Sequence, residues 1–196
     1  MKYLQDFPFF SSLTDSELLI LDALTEKKKY KKGTTLLKKN HIAEKLIFLN
    51  QGIVSSVYGV GVKEFIRDFY FPHIIFTEQE SFVKQIPAKF SIVCVTDISC
   101  HTMTKDSLNI AYEKIPLLKE IGNELLLNGF VNISRRLESL LTLNPEQRYL
   151  KLLTENPKLI HKISLKKIAS YLGITDVALS RIRRRISQPK NHQRKI

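Results

Sequence analysis

Four arginines crowd residues 176–186, DVALSRIRRRI: Arg181, Arg183, Arg184 and Arg185. Arginine carries a planar fork of donors that fits guanine O6 and N7 in the major groove, and the same fork clamps phosphate. On a helix, Leu179, Ile182 and Ile186 form an apolar face. That leaves Val177, Ala178, Ser180, Arg181, Arg184 and Arg185 on the solvent side, with Arg183 at its edge. Such a helix is suited to packing on a domain while lying in DNA. A solvated surface helix, or a basic helix on a membrane surface, would carry the same charge, so the neighbouring elements must discriminate.

Those neighbours favour DNA. In residues 165–172, Leu165, Ile168, Ala169 and Leu172 fall at i, i+3, i+4 and i+7 and predict a second short helix. Gly173 stands where the chain must turn sharply, in a left-handed conformation that costs glycine least. Thr175 can cap the following helix, and Asp176 suits its positive end. Ala169 leaves room for two helices to cross closely. The spacing predicts a helix-turn-helix over 163–186, with the second helix as reader.

Charge distribution agrees. Residues 158–196 hold eleven Lys or Arg against the single acid Asp176, whereas residues 1–157 hold twenty against eighteen. A basic end on a nearly neutral body is the footprint of a nucleic-acid module attached to something else. The final PKNHQRKI lacks apolar periodicity and reads as a basic tail, either adding phosphate contacts or fraying without a role. No apolar run is long enough to span a bilayer and the N-terminus lacks a signal-peptide pattern, so a cytoplasmic protein is expected. Cys94 and Cys100 match no zinc or iron–sulfur spacing.

The rest of the chain predicts a sheet domain followed by a long helix. Thr14 with Glu17 gives a capping signal ahead of Leu18, Leu21 and Leu24, and the basic run 27–32 reads as a solvated loop or edge strand. Short strands are expected at 34–37, 46–49, 53–58, 63–69, 90–95 and 98–103, separated by turn signals such as 50–52 and 96–97. Many short strands at nearly regular spacing argue for an antiparallel sandwich or jelly roll, with Phe48, Phe65, Phe69, Phe71, Phe76, Phe82 and Phe90 as core. Pro116 suits the first turn of a long helix carrying Leu118, Ile121 and Leu125, with a parallel row at Leu126, Ile133, Leu137 and Leu140. Gly122 and Gly129 leave gaps where another backbone could approach; such a helix either lies across its own domain or pairs with its own copy, and pairing is the expectation. Candidate interface residues are Leu118, Ile121, Leu125, Gly129 and Ile133. A helix after Asn144-Pro145 is expected to bury Tyr149, Leu150 and Leu153.

The predicted fold class is α+β: an N-terminal antiparallel jelly roll (1–112), a long dimerisation helix (113–143) and a C-terminal winged-helix-like helix-turn-helix domain (144–196). This order resembles the Crp/Fnr family of bacterial transcription regulators over nearly the full chain. The resemblance rests on AEKLIFLNQG at 43–52, which looks like the family's strand-to-glycine-turn segment, and on IASYLGIT at 168–175 with Ser180-Arg181 following. It implies a homodimer on double-stranded DNA, an effector in the jelly roll that alters the pose of the reader helices, and RNA polymerase as a further partner. By the same resemblance Asp176, Val177 and Arg181 contact bases. Asp176 and Val177 depart from the family's Arg-Glu pair, so a different DNA sequence is expected. Thr175, Ser180, Arg184 and Arg185 hold phosphates.

Family members that bind cyclic nucleotides frame the ligand with Phe-Gly-Glu and Arg-Ser-Ala segments. Here these look like Phe76-Thr77-Glu78 and Lys89-Phe90-Ser91. The Glu is kept, but lysine lacks the bidentate fork and Phe90 puts a ring where a phosphate-binding hydroxyl belongs. Glu78, Lys89, Phe90 and Ser91 therefore form a candidate effector pocket for which a cyclic nucleotide is not the expected ligand; Glu78 also reads as a surface carboxylate. The iron–sulfur branch uses several N-terminal cysteines, and none precedes Cys94. Nothing marks His41, His73 or His101 as a haem ligand; each reads as a surface or loop residue. No cofactor or metal is expected. The five histidines are isolated, and no His-Glu-x-x-His, Gly-x-Ser-x-Gly or glycine-rich phosphate loop occurs, which argues against an enzyme. The alternative reading is an effector-binding module whose DNA binding is lost or non-specific.

Overall fold

The computed structural model describes residues 2–60, 63–157 and 161–187. The chain divides into two compact units, with the break between Arg135 and Arg136.

In the first unit, a turn of helix α1 (Lys2–Gln5) and helix α2 (Asp15–Ala23) lead into eight strands. Helix α2 begins on the expected capping box: the Thr14 N–H donates to Glu17 Oε2 at 2.8 Å, and the Glu17 N–H donates to Thr14 Oγ1 at 3.3 Å. The strands are β1 (Glu26–Tyr30), β2 (Thr35–Leu37), β3 (Lys45–Gln51), β4 (Val54–Val60), β5 (Lys63–Tyr70), β6 (Ile74–Phe76), β7 (Ser91–Cys94) and β8 (Ile98–Thr104). They form two four-stranded antiparallel sheets, in the orders β1-β8-β3-β6 and β2-β7-β4-β5. The basic run thus lies on an edge strand, where lysines discourage further strand pairing.

Strand β3 explains why LIFL is apolar without a break. Its side chains alternate between faces: Ile47 and Leu49 enter the core between the sheets, with Val54, Ile92 and Cys100. Phe48 enters a second core, beneath the helices, with Phe7, Phe10, Leu21 and Met103. Of the expected core aromatics, Phe48, Phe69, Phe76, Phe82 and Phe90 are buried. Phe65 is 46 % exposed on β5 and is a correction. Cys94 and Cys100 are buried and free, and burial pushes each thiol up to about 11, so neither is a reactive thiolate at neutral pH. Strand β6 and helix α3 (Gln79–Lys84) were not expected; at three and six residues they are too short to show a period.

Helix α4 (Lys105–Lys114) is followed by the long helix α5 (Leu117–Thr142), with Pro116 just before its start. Here the expectation needs correcting. Leu118 and Ile121 are 5 % and 6 % exposed and belong to the core beneath the helices, with Leu125 packed partly against it. A Cβ on Gly122 would meet the Tyr112 hydroxyl at 2.9 Å, so that gap is filled from within the chain, whereas Gly129 faces open space. The large apolar residues of α5 left exposed are Leu126, Leu127, Phe130 and Ile133, then Leu137, Leu140 and Leu141.

The second unit holds helices α6 (Pro145–Glu155), α7 (Leu165–Leu172) and α8 (Asp176–Ser187). Asn144 and Gln147 form a capping box at the start of α6. Tyr149 is buried as expected, together with Leu152; Leu150 is 42 % exposed and Leu153 half-buried, a correction, because the buried face runs through 149 and 152 and leaves their neighbours one position on at its edge. Among the described residues this unit has no strand, so the wing of the winged-helix expectation is not among them. No described helix is long and apolar enough to cross a membrane.

Candidate nucleic-acid interface

Helices α7 and α8 carry the helix-turn-helix, and its turn is built from local bonds. Ser164 caps α7, its hydroxyl accepting the Lys167 N–H. Gly173 takes φ +70°, and its N–H donates to the Ser170 carbonyl at 3.1 Å while that of Ile174 donates to Ala169 at 3.0 Å. This pair of bonds is the Schellman closure of a helix end, which places a left-handed residue there. Thr175 Oγ1 then accepts the Ala178 N–H at 3.2 Å and starts α8. Ile168, Ala169, Leu172 and Leu179 are almost wholly buried and Ile182 nearly so. Leu165 and Ile186, expected on the apolar faces, are 39 % and 37 % exposed, because each lies at the outer end of its helix.

The solvent face of α8 brings most of the expected contacts together. Asp176, Val177, Ser180, Arg181 and Arg184 line one groove of about 520 Å3. Thr175 stands at the N-terminus of the same helix, where phosphate oxygens are favoured by exposed N–H groups and the helix dipole. Arg185 does not join them: its guanidinium is paired with the Glu146 carboxylate of α6.

Two arginines outside the reader helix hold the motif in place, and sequence reading missed both. Arg148 of α6 donates from Nε to the Leu172 carbonyl at 3.2 Å and from Nη1 to the Leu143 carbonyl at 2.6 Å. It therefore satisfies carbonyls at the ends of α5 and α7, which have no intrahelical partner. Arg136 donates to the Tyr171 carbonyl and lies over the Tyr171 ring, 3.8 Å from its centroid. Nothing in the sequence separates these arginines from solvated ones, since their acceptors are backbone atoms. Arg148→Ala is expected to destabilise the second unit by about 1–3 kcal/mol. Chemical denaturation followed by helix signal checks this; an unchanged midpoint would mean water serves those carbonyls equally well.

The candidate effector residues do not form one open pocket. Glu78 is 5 % exposed, which corrects its reading as a surface carboxylate; it caps α3 by accepting the Ser81 N–H at 2.6 Å. Lys89 is paired with Glu80, which also takes Lys84 at 3.1 Å, and the hydrogen bond from Lys89 chiefly holds the Glu80 carboxyl below its ordinary value. Phe90 is buried between the sheets, edge-on to Tyr58, with the Arg67 guanidinium 4.8 Å from its ring centre. Ser91 Oγ accepts the Lys39 N–H at 2.9 Å. His41 and His73 are exposed, but His101 is buried on β8, correcting the surface reading for that residue.

Residues 27–114 match the cyclic nucleotide-binding domain family. No curated protein sequence matches the chain. Among solved structures, the c-di-GMP responsive global regulator CLP of Xanthomonas campestris is similar at a TM-score of 0.73 and 13 % identity, over 88 % of this chain and 91 % of that one. The catabolite activator protein of Thermus thermophilus is similar at 0.59 and 17 %, over 91 % and 86 %. A protein of Eubacterium rectale described as a transcriptional regulator of the Crp/Fnr family is similar at 0.72 and 17 %, over 92 % and 86 %. Residues 27–114 are thus similar to a cyclic nucleotide-binding domain, and the chain shares the fold of these regulators.

Proposed function

We propose that this chain is a sequence-specific DNA-binding transcriptional regulator of the Crp/Fnr type, acting as a cytoplasmic homodimer. The observation that carries the reading is the groove on α8, where Asp176, Val177, Ser180, Arg181 and Arg184 stand together and exposed on a helix whose other face is buried. Arg181 reads guanine through its fork, Asp176 accepts from a cytosine amine, and Val177 meets a thymine methyl. Thr175, Ser180 and Arg184 hold phosphates and set register. Arg185 serves instead to fix α8 against α6 through Glu146. RNA polymerase is the further partner. Any effector of the jelly roll is not a cyclic nucleotide, because Lys89 is committed to Glu80 and Phe90 is part of the core. The protein regulates rather than catalyses.

Selection of bound sequences from a random DNA pool tests this, at low and near-physiological salt without ligand. The expected product is a two-fold symmetric motif with half-sites about one helical turn apart. No motif, with binding that collapses as salt rises, would leave only phosphate attraction and favour a module whose specific DNA binding is lost. On the selected site, Arg181→Ala is expected to cost about 1–3 kcal/mol and relax one position. Equal losses on selected and random DNA would make Arg181 a phosphate contact only.

A further inference from the structure

The sheet β1-β8-β3-β6 carries a second feature on its helix-facing side. There a cleft of about 410 Å3 opens, lined by Lys27, Lys29, Asn50, Gln51, Ser99 and His101 among others, within the size range of small-molecule sites. The strand register pairs Lys27 with His101 and Lys29 with Ser99, and Ser99 with Gln51 on the other side. Because side chains alternate with a period of two, Lys27, Lys29, Ser99 and His101 share one face. The candidate effector residue Phe90 lies in the core on the opposite face of this sheet.

The chemistry of the lining is that of an anion site. At its floor His101 is 3 % exposed, with Nδ1 2.8 Å from Asn50 Oδ1 and Nε2 3.6 Å from Asp22 Oδ1. Burial holds His101 below its ordinary value, so the ring is neutral at pH 7. The Asn50 amide is held against the ring at Nδ1, which fixes its side chain at this end of the cleft. Asp22 is the carboxylate at this end, and Lys27 sits 3.6 Å from it. Among the described residues no ion pair involves Lys29, which is exposed on the edge strand. The cleft therefore combines lysine charge with hydroxyl and amide donors, which suits a ligand with several oxygens and about two negative charges.

We propose that this cleft binds a small phosphate monoester, of the size of a nucleoside monophosphate or sugar phosphate. The phosphate lies between Lys27 and Lys29 and accepts from Ser99, while Asn50 and Gln51 orient the organic part. Titration calorimetry of the full chain with 5′-AMP, ribose 5-phosphate and adenosine tests this. AMP is expected to bind and adenosine not; ribose 5-phosphate binding as well as AMP identifies a sugar phosphate site, and binding of AMP alone identifies a nucleotide site. Lys29→Glu is expected to weaken the phosphate ester by about ten-fold or more, and Arg181→Ala to leave it unchanged. Circular dichroism of Lys29→Glu should match the unaltered chain, since the side chain is exposed. Failure of both phosphate esters to bind, adenosine binding as tightly as AMP, or indifference to Lys29→Glu would overturn the proposal. Loss with Arg181→Ala alone would overturn it as well, by placing the anion on the reader helix.

Discussion

Gly52→Ala is expected to destabilise the first unit by about 3 kcal/mol or more, a large share of the net stability of a domain. Gly52 has φ +91° in the turn between β3 and β4. A Cβ there would stand 2.3 Å from the Asp97 carbonyl oxygen, 2.7 Å from Ile98 Cγ2 and 2.9 Å from Thr96 Oγ1. The nearest of these is backbone, so no side-chain rotation relieves it. The same turn is tied down by the Ile53 N–H donating to Thr96 Oγ1 at 2.9 Å, which stops the two segments moving apart freely. Gly33 is the control: φ is +85° but nothing lies within 4 Å of its Cβ position. Gly33→Ala should cost only the left-handed strain, about 1–2 kcal/mol. Urea denaturation of both variants checks the difference, and equal losses would show that crowding at Gly52 is relieved by a backbone shift.

Phe130→Glu is expected to leave the chain folded and separate the proposed dimer. Phe130 is 67 % exposed on α5, flanked by Leu126 at 62 % and Ile133 at 53 %. Positions 126, 130 and 133 fall at i, i+4 and i+7, one face of a helix. A row of large apolar side chains left in water marks an interface. Truncating an aromatic anchor costs about 2–4 kcal/mol, and a two-fold interface carries the change twice. The dimerisation constant should then weaken by roughly a thousand-fold or more, with affinity for a two-fold DNA site falling alongside. Leu118→Glu should behave differently: it puts a charge among Leu21, Ala111 and Ile115 in the core and should unfold the unit. Sedimentation equilibrium with circular dichroism separates the two outcomes. A Phe130→Glu chain that still sediments as a dimer would move the interface off this face.

Much of the reader motif was legible because its determinants are local. The turn at Gly173, the cap at Thr175 and the buried row Ile168, Ala169, Leu172, Leu179 and Ile182 each depend on residues within a few positions of one another. The capping box at Thr14 and strands β2, β3, β4, β5, β7 and β8 were legible for the same reason. Periodicity and capping are written in adjacent residues.

Tertiary structure decided what depends on partners far along the chain. Leu118 and Ile133 look alike on a helical wheel, yet one is buried by the N-terminal helices and the other is left in water. Arg148 and Arg185 are both arginines on helices, but the Leu143 and Leu172 carbonyls take the first and Glu146 takes the second. Glu78 reads as a polar loop residue until α3, too short to be seen in the sequence, makes it a buried cap. His101 gains Asn50 and Asp22 as neighbours only when β8 pairs with β3 beside α2. The sequence by itself determined most of the segments that form helices and strands and which face of α8 is cationic. Only the packing of those segments decided which apolar and charged side chains remained available, because burial and pairing are set by residues that meet in space rather than in order.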